Sequence, residues 1–137
     1  MTTIHYIIYT GRTYQVEWYF RDDKTMPGYE FFQALSDQDK ARFIVLAQHL
    51  ANAQRGTFLP KKHYNIEDTK HGIYAFKPHA ERFLNFMTSG GKIIVTNGFH
   101  KRSQKLRQKE REEVEKAIRF KNDYENRIKR GDYYEKW

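Results

Sequence analysis

GIYAFKPHAERFLNFMTSGGKIIVTNGFHK, residues 72–101, decides the fold. Its apolar, β-branched and aromatic residues gather into three runs, Ile73 to Lys77, Arg82 to Met87 and Lys92 to Phe99. Runs of this length and composition read as strands. Pro78-His79 divides the first two, and Ser89-Gly90-Gly91 the last two. Connections this short join neighbouring antiparallel strands, so the segment predicts a three-stranded meander.

Upstream, Tyr14, Val16, Trp18 and Phe20 alternate with Gln15, Glu17 and Tyr19, the period of a strand with one buried face. Ile4 to Tyr9 is suited to pair with it as a hairpin across Thr10-Gly11-Arg12-Thr13. Pro27 fits the first turn of a short helix whose apolar side is Phe31, Phe32 and Leu35. Ser36 and Asp39 resemble a capping box opening a second helix, with Phe43, Leu46, Ala47, Leu50 and Ala51 on one stripe and Gly56 as its stop. Residues 57–71 are polar and irregular, a loop with room for a short strand. Downstream, about Arg107 to Lys129 reads as a helix with Val114, Ala117, Ile118, Tyr124 and Ile128 along one stripe. The order is hairpin, two helices, meander, helix. Segregated strands and helices predict an α+β fold in one domain, residues 1–130, followed by an extension, 131–137.

A chain of 137 residues buries an adequate core without staples. Ten Tyr, ten Phe and two Trp supply large apolar faces, and most of them are assigned to the core; Tyr124, Tyr133 and Tyr134 are candidates for exposure. The absence of cysteine removes disulfides, thiolate nucleophiles and Cys-based zinc sites, and fits a reducing cytosol. No apolar stretch approaches the roughly 18 residues of a membrane helix, and the start lacks the pattern of a signal peptide, so a cytoplasmic protein is expected. The net charge of +8 selects for polyanionic partners. Most of that excess lies beyond residue 100, in a run containing Lys101, Arg102, Lys105, Arg107, Lys109 and Arg111. A solvated helix start explains such a run as well as RNA binding does.

Several chemistries lose their usual support. There is no phosphate-binding glycine loop, no dinucleotide fingerprint, no serine-hydrolase elbow, no HExxH and no cluster of carboxylates on the strands. The six histidines, His5, His49, His63, His71, His79 and His100, show no tight ligand spacing, so neither a metal nor another cofactor is expected. Cations near strand ends remain: Lys61, Lys62 and His63 in the loop, Lys77, Arg82, and His100-Lys101-Arg102. Arginine grips phosphate as a fork and lysine as a point charge. Such a grip becomes a ribonuclease when side chains also move the 2′-hydroxyl and 5′-oxygen protons. His63 and His100 are the candidates for proton transfer, because imidazole titrates near neutral pH; for each, an ordinary exposed histidine is the alternative. For Arg82 the alternative is a strand arginine paired with Glu17 or Glu81.

The stretches GIYAFKPHAERFLNF, GKIIVTNGFHKRSQK and EVEKAIRFKNDY resemble the C-terminal half of phage-derived HigB-like toxins of the RelE/ParE superfamily. Their pattern is a strand with a basic residue, a strand beginning Arg-x-Leu, then Gly-Phe-x-Lys-Lys and a helix ending Ala-x-x-Arg-x-x-Asp-Tyr. Gly98, Phe99, Lys101, Ala117, Asp123 and Tyr124 stand where that pattern has them, and the resemblance spans roughly residues 14 to 125. Ala75-Phe76-Lys77 stands where the family commonly has Glu-Leu-Arg, and Arg102 replaces the second lysine.

The resemblance implies a RelE-like single domain, an antiparallel sheet packed against two N-terminal helices with a C-terminal helix. It implies the toxin of a type II toxin-antitoxin pair, an mRNA endoribonuclease acting on the ribosome, silenced by an antitoxin that is often a helix-turn-helix protein. It implies Lys77 and Arg82 as phosphate-stabilising groups and Lys101 as a backbone or catalytic contact. Lys61, Lys62, Arg102, Lys105 and Arg107 are then RNA-binding candidates. Two other readings stay open: a ParE-like gyrase inhibitor, and a noncatalytic nucleic-acid-binding module using residues 101–111. The cations at the strand ends favour the nuclease.

Overall fold

The computed structural model describes residues 5–101 and 107–137. Strands β1 (Ile7–Thr10) and β2 (Gln15–Trp18) are followed by helices α1 (Pro27–Gln33) and α2 (Asp37–Asn52). Strands β3 (Tyr64–Asp68), β4 (Ile73–Phe76), β5 (Glu81–Met87) and β6 (Lys92–His100) come next, then α3 (Arg107–Arg130) and a 3-10 turn, Tyr134–Lys136. The fold is α+β, as expected. Of the expected strand Ile4 to Tyr9, Ile4 lies outside the described residues.

The six strands form one sheet in the order β1-β2-β6-β5-β4-β3. The expected meander is present as β4-β5-β6, antiparallel throughout. The polar loop holds the short strand it had room for, β3, which pairs antiparallel with β4 through Tyr64 opposite Phe76. One feature differs from the antiparallel sheet expected: β2 runs parallel to β6, Val16 opposite Ile93 and Trp18 opposite Val95, so the sheet is mixed. The connection between this parallel pair is long, running through α1, α2 and the three strands β3, β4 and β5 before the chain returns as β6.

Helices cover both faces of the sheet, and adjacent residues of β6 show how. Gly98 lies against the Phe31 ring of α1, where a Cβ would come within 2.8 Å of Cε2, so only glycine lets the helix approach so closely. Its neighbour Asn97 faces the other way and donates to the Glu113 carbonyl of α3 at 3.1 Å. On the α1/α2 face, Phe83 stacks on Phe43 at 4.0 Å, with Trp18 and Phe32 around them. Ser36 caps α2 as read, its Oγ accepting from the Asp39 N–H at 3.1 Å.

The stretch read as an extension, 131–137, folds back after α3. Gly131, at φ 76°, takes the left-handed conformation that stops α3 and turns the chain back. Residues 133–137 then pack on the domain. Tyr133 and Tyr124, candidates for exposure, are buried, and Tyr134 is half-buried. Tyr133 stacks on Phe20 at 4.1 Å, and its hydroxyl accepts from the Phe20 N–H at 3.0 Å. The α3 stripe ends differently too: Ile128 is exposed, and Arg127 takes the buried place. Arg127 donates to the Phe20 carbonyl and to Asp123, both at 2.8 Å, with Asp22 at 3.3 Å, so the end of α3 is tied to the segment that follows β2 by charge-assisted bonds. No helix among the described residues is long and apolar enough to cross a membrane.

Candidate functional site

Strand direction alone brings the predicted cations to one end of the sheet. In an antiparallel set, β3 and β5 start where β4 and β6 end. The observed register pairs Tyr64 with Phe76, Phe76 with Phe83, and Arg82 with Phe99. Continued one step past Phe76, it sets Lys77 between His63 and Arg82, and the Lys77 N–H donates to the His63 carbonyl at 2.8 Å. His63, Lys77, Arg82 and Phe99 therefore form one row across the sheet. One residue further out, Glu81 pairs with His100, and the Lys101 N–H donates to the Ala80 carbonyl at 2.7 Å.

The pleat then divides the group. Side chains alternate along a strand, so Arg82 and Phe99 leave the face opposite to Glu81 and His100. Lys101 follows Phe99 by two residues, and its ammonium lies 3.9 Å from Glu110 of α3. His100 belongs to the other face, where its ring packs edge-on to Phe31 of α1 at 5.0 Å. At the end of the strands both faces open onto one rim. A groove of about 480 Å³ runs along it, lined by Phe31, Gly98, Phe99, His100, Glu110 and Glu113 among others.

Charge pairing separates these cations further. Lys77 lies 3.8 Å from Glu67, His100 Nδ1 lies 3.6 Å from Glu81, and Lys101 has Glu110. Arg82 differs. It pairs with neither Glu17 nor the Glu81 carboxylate: its NH1 donates to the main-chain carbonyls of His79 at 2.9 Å and Glu81 at 2.8 Å. Glu17 is instead buried on β2 among Gln15, Lys92 and Tyr134. Carbonyl partners orient a guanidinium without cancelling its charge, so among the described residues Arg82 keeps the least compensated positive charge of the row.

The remaining candidates are distributed less tightly. Lys61 and Lys62 are exposed in the turn before β3, and His63 is half-buried beside them. Arg102 and Lys105 lie outside the described residues, and of the Arg107 side chain nothing is described. Sequence reading named Glu81 only as a partner for Arg82; it is a buried carboxylate that faces His100 instead, which a single acid at a strand start does not signal. That reading missed Phe58, exposed and stacked in line with Tyr64 and Tyr74 at 6.3 and 5.9 Å beside the Lys61-Lys62 turn.

A family model described as Phage derived protein Gp49-like (DUF891) matches residues 30–120, which contain the end of α1, all of α2, the meander, the row and the rim. That family is associated with toxin-antitoxin systems. No curated protein matches the chain.

Proposed function

The chain belongs to the phage-derived Gp49-like family, and on that premise we propose that it is the toxin of a type II toxin-antitoxin pair and acts as an mRNA endoribonuclease. The observation that carries this reading is the row of His63, Lys77 and Arg82 with His100 and Lys101 on the rim beside it. A ribose phosphate laid along the rim meets cations of both kinds. Arg82, its NH1 fixed by two carbonyls, offers its remaining donors to phosphate oxygens, and Lys101 adds a point charge. Their positive charge stabilises the extra negative charge of the pentavalent phosphorus.

In this reaction the RNA 2′-oxygen attacks the adjacent phosphorus and the bond to the 5′-oxygen breaks. The products are a 2′,3′-cyclic phosphate and a 5′-hydroxyl. One proton leaves the 2′-oxygen and one reaches the 5′-oxygen. His100 is the proposed carrier: Nδ1 is turned toward Glu81, which leaves Nε2 for the substrate. His63 is the proposed second carrier. Lys61 and Lys62, exposed at the end of the row, contribute phosphate contacts, as do Lys77, Arg102, Lys105 and Arg107. The ribosome is the proposed setting for cleavage. A cognate antitoxin is the expected partner, and the cationic rim is the surface it must cover to silence the toxin.

The test is induced expression of wild type beside an Arg82→Ala, Lys101→Ala double variant, with growth followed and cellular mRNA 5′ ends mapped. Growth arrest with new 5′ ends, both lost in a variant that keeps its fold, is the expected result. Arrest without cuts replaces the nuclease with the gyrase-inhibitor reading.

A further inference from the structure

On the α1/α2 side of the rim, three side chains from three elements meet with no partner that explains their meeting. Asp39 stands in the first turn of α2, where the Ser36 cap fixes its backbone. His79 lies in the β4–β5 connection, exposed. Glu81 opens β5 and is 4% exposed. One ligand atom from each lies within 4.8 Å of the others. The loop that presents two of them is held firm, since Arg82 ties the carbonyls of His79 and Glu81 together.

The electrostatics of this meeting point to a cation. Two carboxylates brought so close repel each other, and one of them has been taken out of water. Glu81 Oε2 faces His100, but Oε1 is buried and has no hydrogen-bond partner among the described residues. Arg42 occupies only Oδ1 of Asp39, at 3.2 Å, which leaves Oδ2 for another partner. A buried carboxylate oxygen without a partner is costly, and a metal ion satisfies it together with the repulsion.

We propose that Asp39, His79 and Glu81 form a binding site for a divalent transition-metal ion of the zinc type. One imidazole nitrogen and two carboxylate oxygens suit zinc, with water completing the shell. Magnesium, which prefers an all-oxygen octahedral shell, is disfavoured by the imidazole. The site lies across the sheet from Arg82 and Lys101, which leave the opposite face, and adjoins the proposed proton carrier through Glu81, whose Oε2 faces His100. It does not rest on the nuclease reading, since binding is measured without RNA.

The experiment is calorimetric titration of the full-length chain, stripped with chelator, with zinc chloride. Wild type is expected to take up one equivalent, and magnesium none. His79→Ala, whose side chain is exposed and whose loss leaves the core intact, is expected to weaken zinc binding by at least about ten-fold. Glu81→Gln is expected to do the same, with circular dichroism checking its fold. Substoichiometric Mn²⁺ gives a second measurement that does not depend on any substitution. Its paramagnetism should broaden the imidazole signals of His79 before those of His71, which sits at the other end of the sheet beside Asp68. Unchanged zinc affinity in His79→Ala, or His71 broadening first, would overturn the site.

Discussion

Removing the Tyr133 ring should unfold this protein far more readily than an extension residue could. Tyr133 is 1% exposed, with Phe20 stacked at 4.1 Å, Tyr124 edge-on at 4.6 Å and the Arg127 guanidinium 4.5 Å from its centroid. Tyr133→Ala deletes the ring and leaves a cavity between β2 and α3, a change that typically costs about 3–5 kcal/mol. Tyr133→Phe keeps the ring and removes only the hydroxyl that accepts from the buried Phe20 N–H, a loss of about 1–3 kcal/mol. With a urea slope of about 2 kcal/mol/M, the alanine variant should shift the midpoint by about 2 M and the phenylalanine variant by about 0.5–1.5 M. Urea melts followed by tryptophan fluorescence suit the question, because Trp137 packs on Phe20 at 4.8 Å and Trp18 sits in the main core. A Tyr133→Ala shift below about 0.5 M would show that residues 131–137 are not part of the folded unit.

Three other outcomes follow from the same contacts. Gly98→Ala forces a methyl into the Phe31 ring and should cost about 1–3 kcal/mol by thermal melting, with mRNA cutting reduced as well because Phe99 and His100 move with it; a neutral substitution would contradict the tight α1–β6 contact. Burial raises the ionisation of Tyr19, Tyr64, Tyr124, Tyr133 and Tyr134 above their ordinary range near pH 10. Their un-ionised forms therefore support the fold fully below pH 10, and that support is lost as pH rises further. In a titration at 295 nm these five should ionise together with loss of near-ultraviolet circular dichroism; independent ionisation near pH 10 with the fold intact would refute it. Arg82→Lys should retain RNA binding better than Arg82→Ala yet recover little cutting, because an ammonium cannot be held by two carbonyls while a planar fork faces the phosphate; full activity in Arg82→Lys would reduce the role to charge alone.

The parts legible in the sequence were those with a local cause. Alternation from Tyr14 to Phe20, the Pro27 helix start, the Ser36 cap and the Ser89-Gly90-Gly91 turn each depend on neighbours within a few residues, and each element is present. What the sequence concealed depends on distant pairing. The parallel match of β2 to β6 brings Val16 to Ile93, and no period within either strand signals it. β3 was obscured by composition: Asn65, Glu67 and Asp68 dilute the apolar alternation of a strand whose outer edge has no neighbour. Arg127 lies outside the apolar stripe that the period picks out, and its burial becomes tolerable only when the Phe20 carbonyl, Asp22 and Asp123 converge on it.

The grouping of the candidate residues was legible in the same partial way. Residue type and strand ends were enough to gather His63, Lys77, Arg82, His100 and Lys101 at one rim, since antiparallel pairing returns every second strand end to the same edge. The division of that group between two faces required the register. A shift of one residue between β5 and β6 would exchange Arg82 with Glu81 on the α3 side and bring a carboxylate where phosphate is proposed to sit. The Leu84/Asn85 irregularity lies inward of these pairs, so the rim keeps a regular register: Glu81 to His100, Arg82 to Phe99. That register joins the two proposals of charge. It directs Arg82 outward to an anion on one face, and it places Glu81, with its unpartnered oxygen, beside Asp39 and His79 on the other, where a cation belongs.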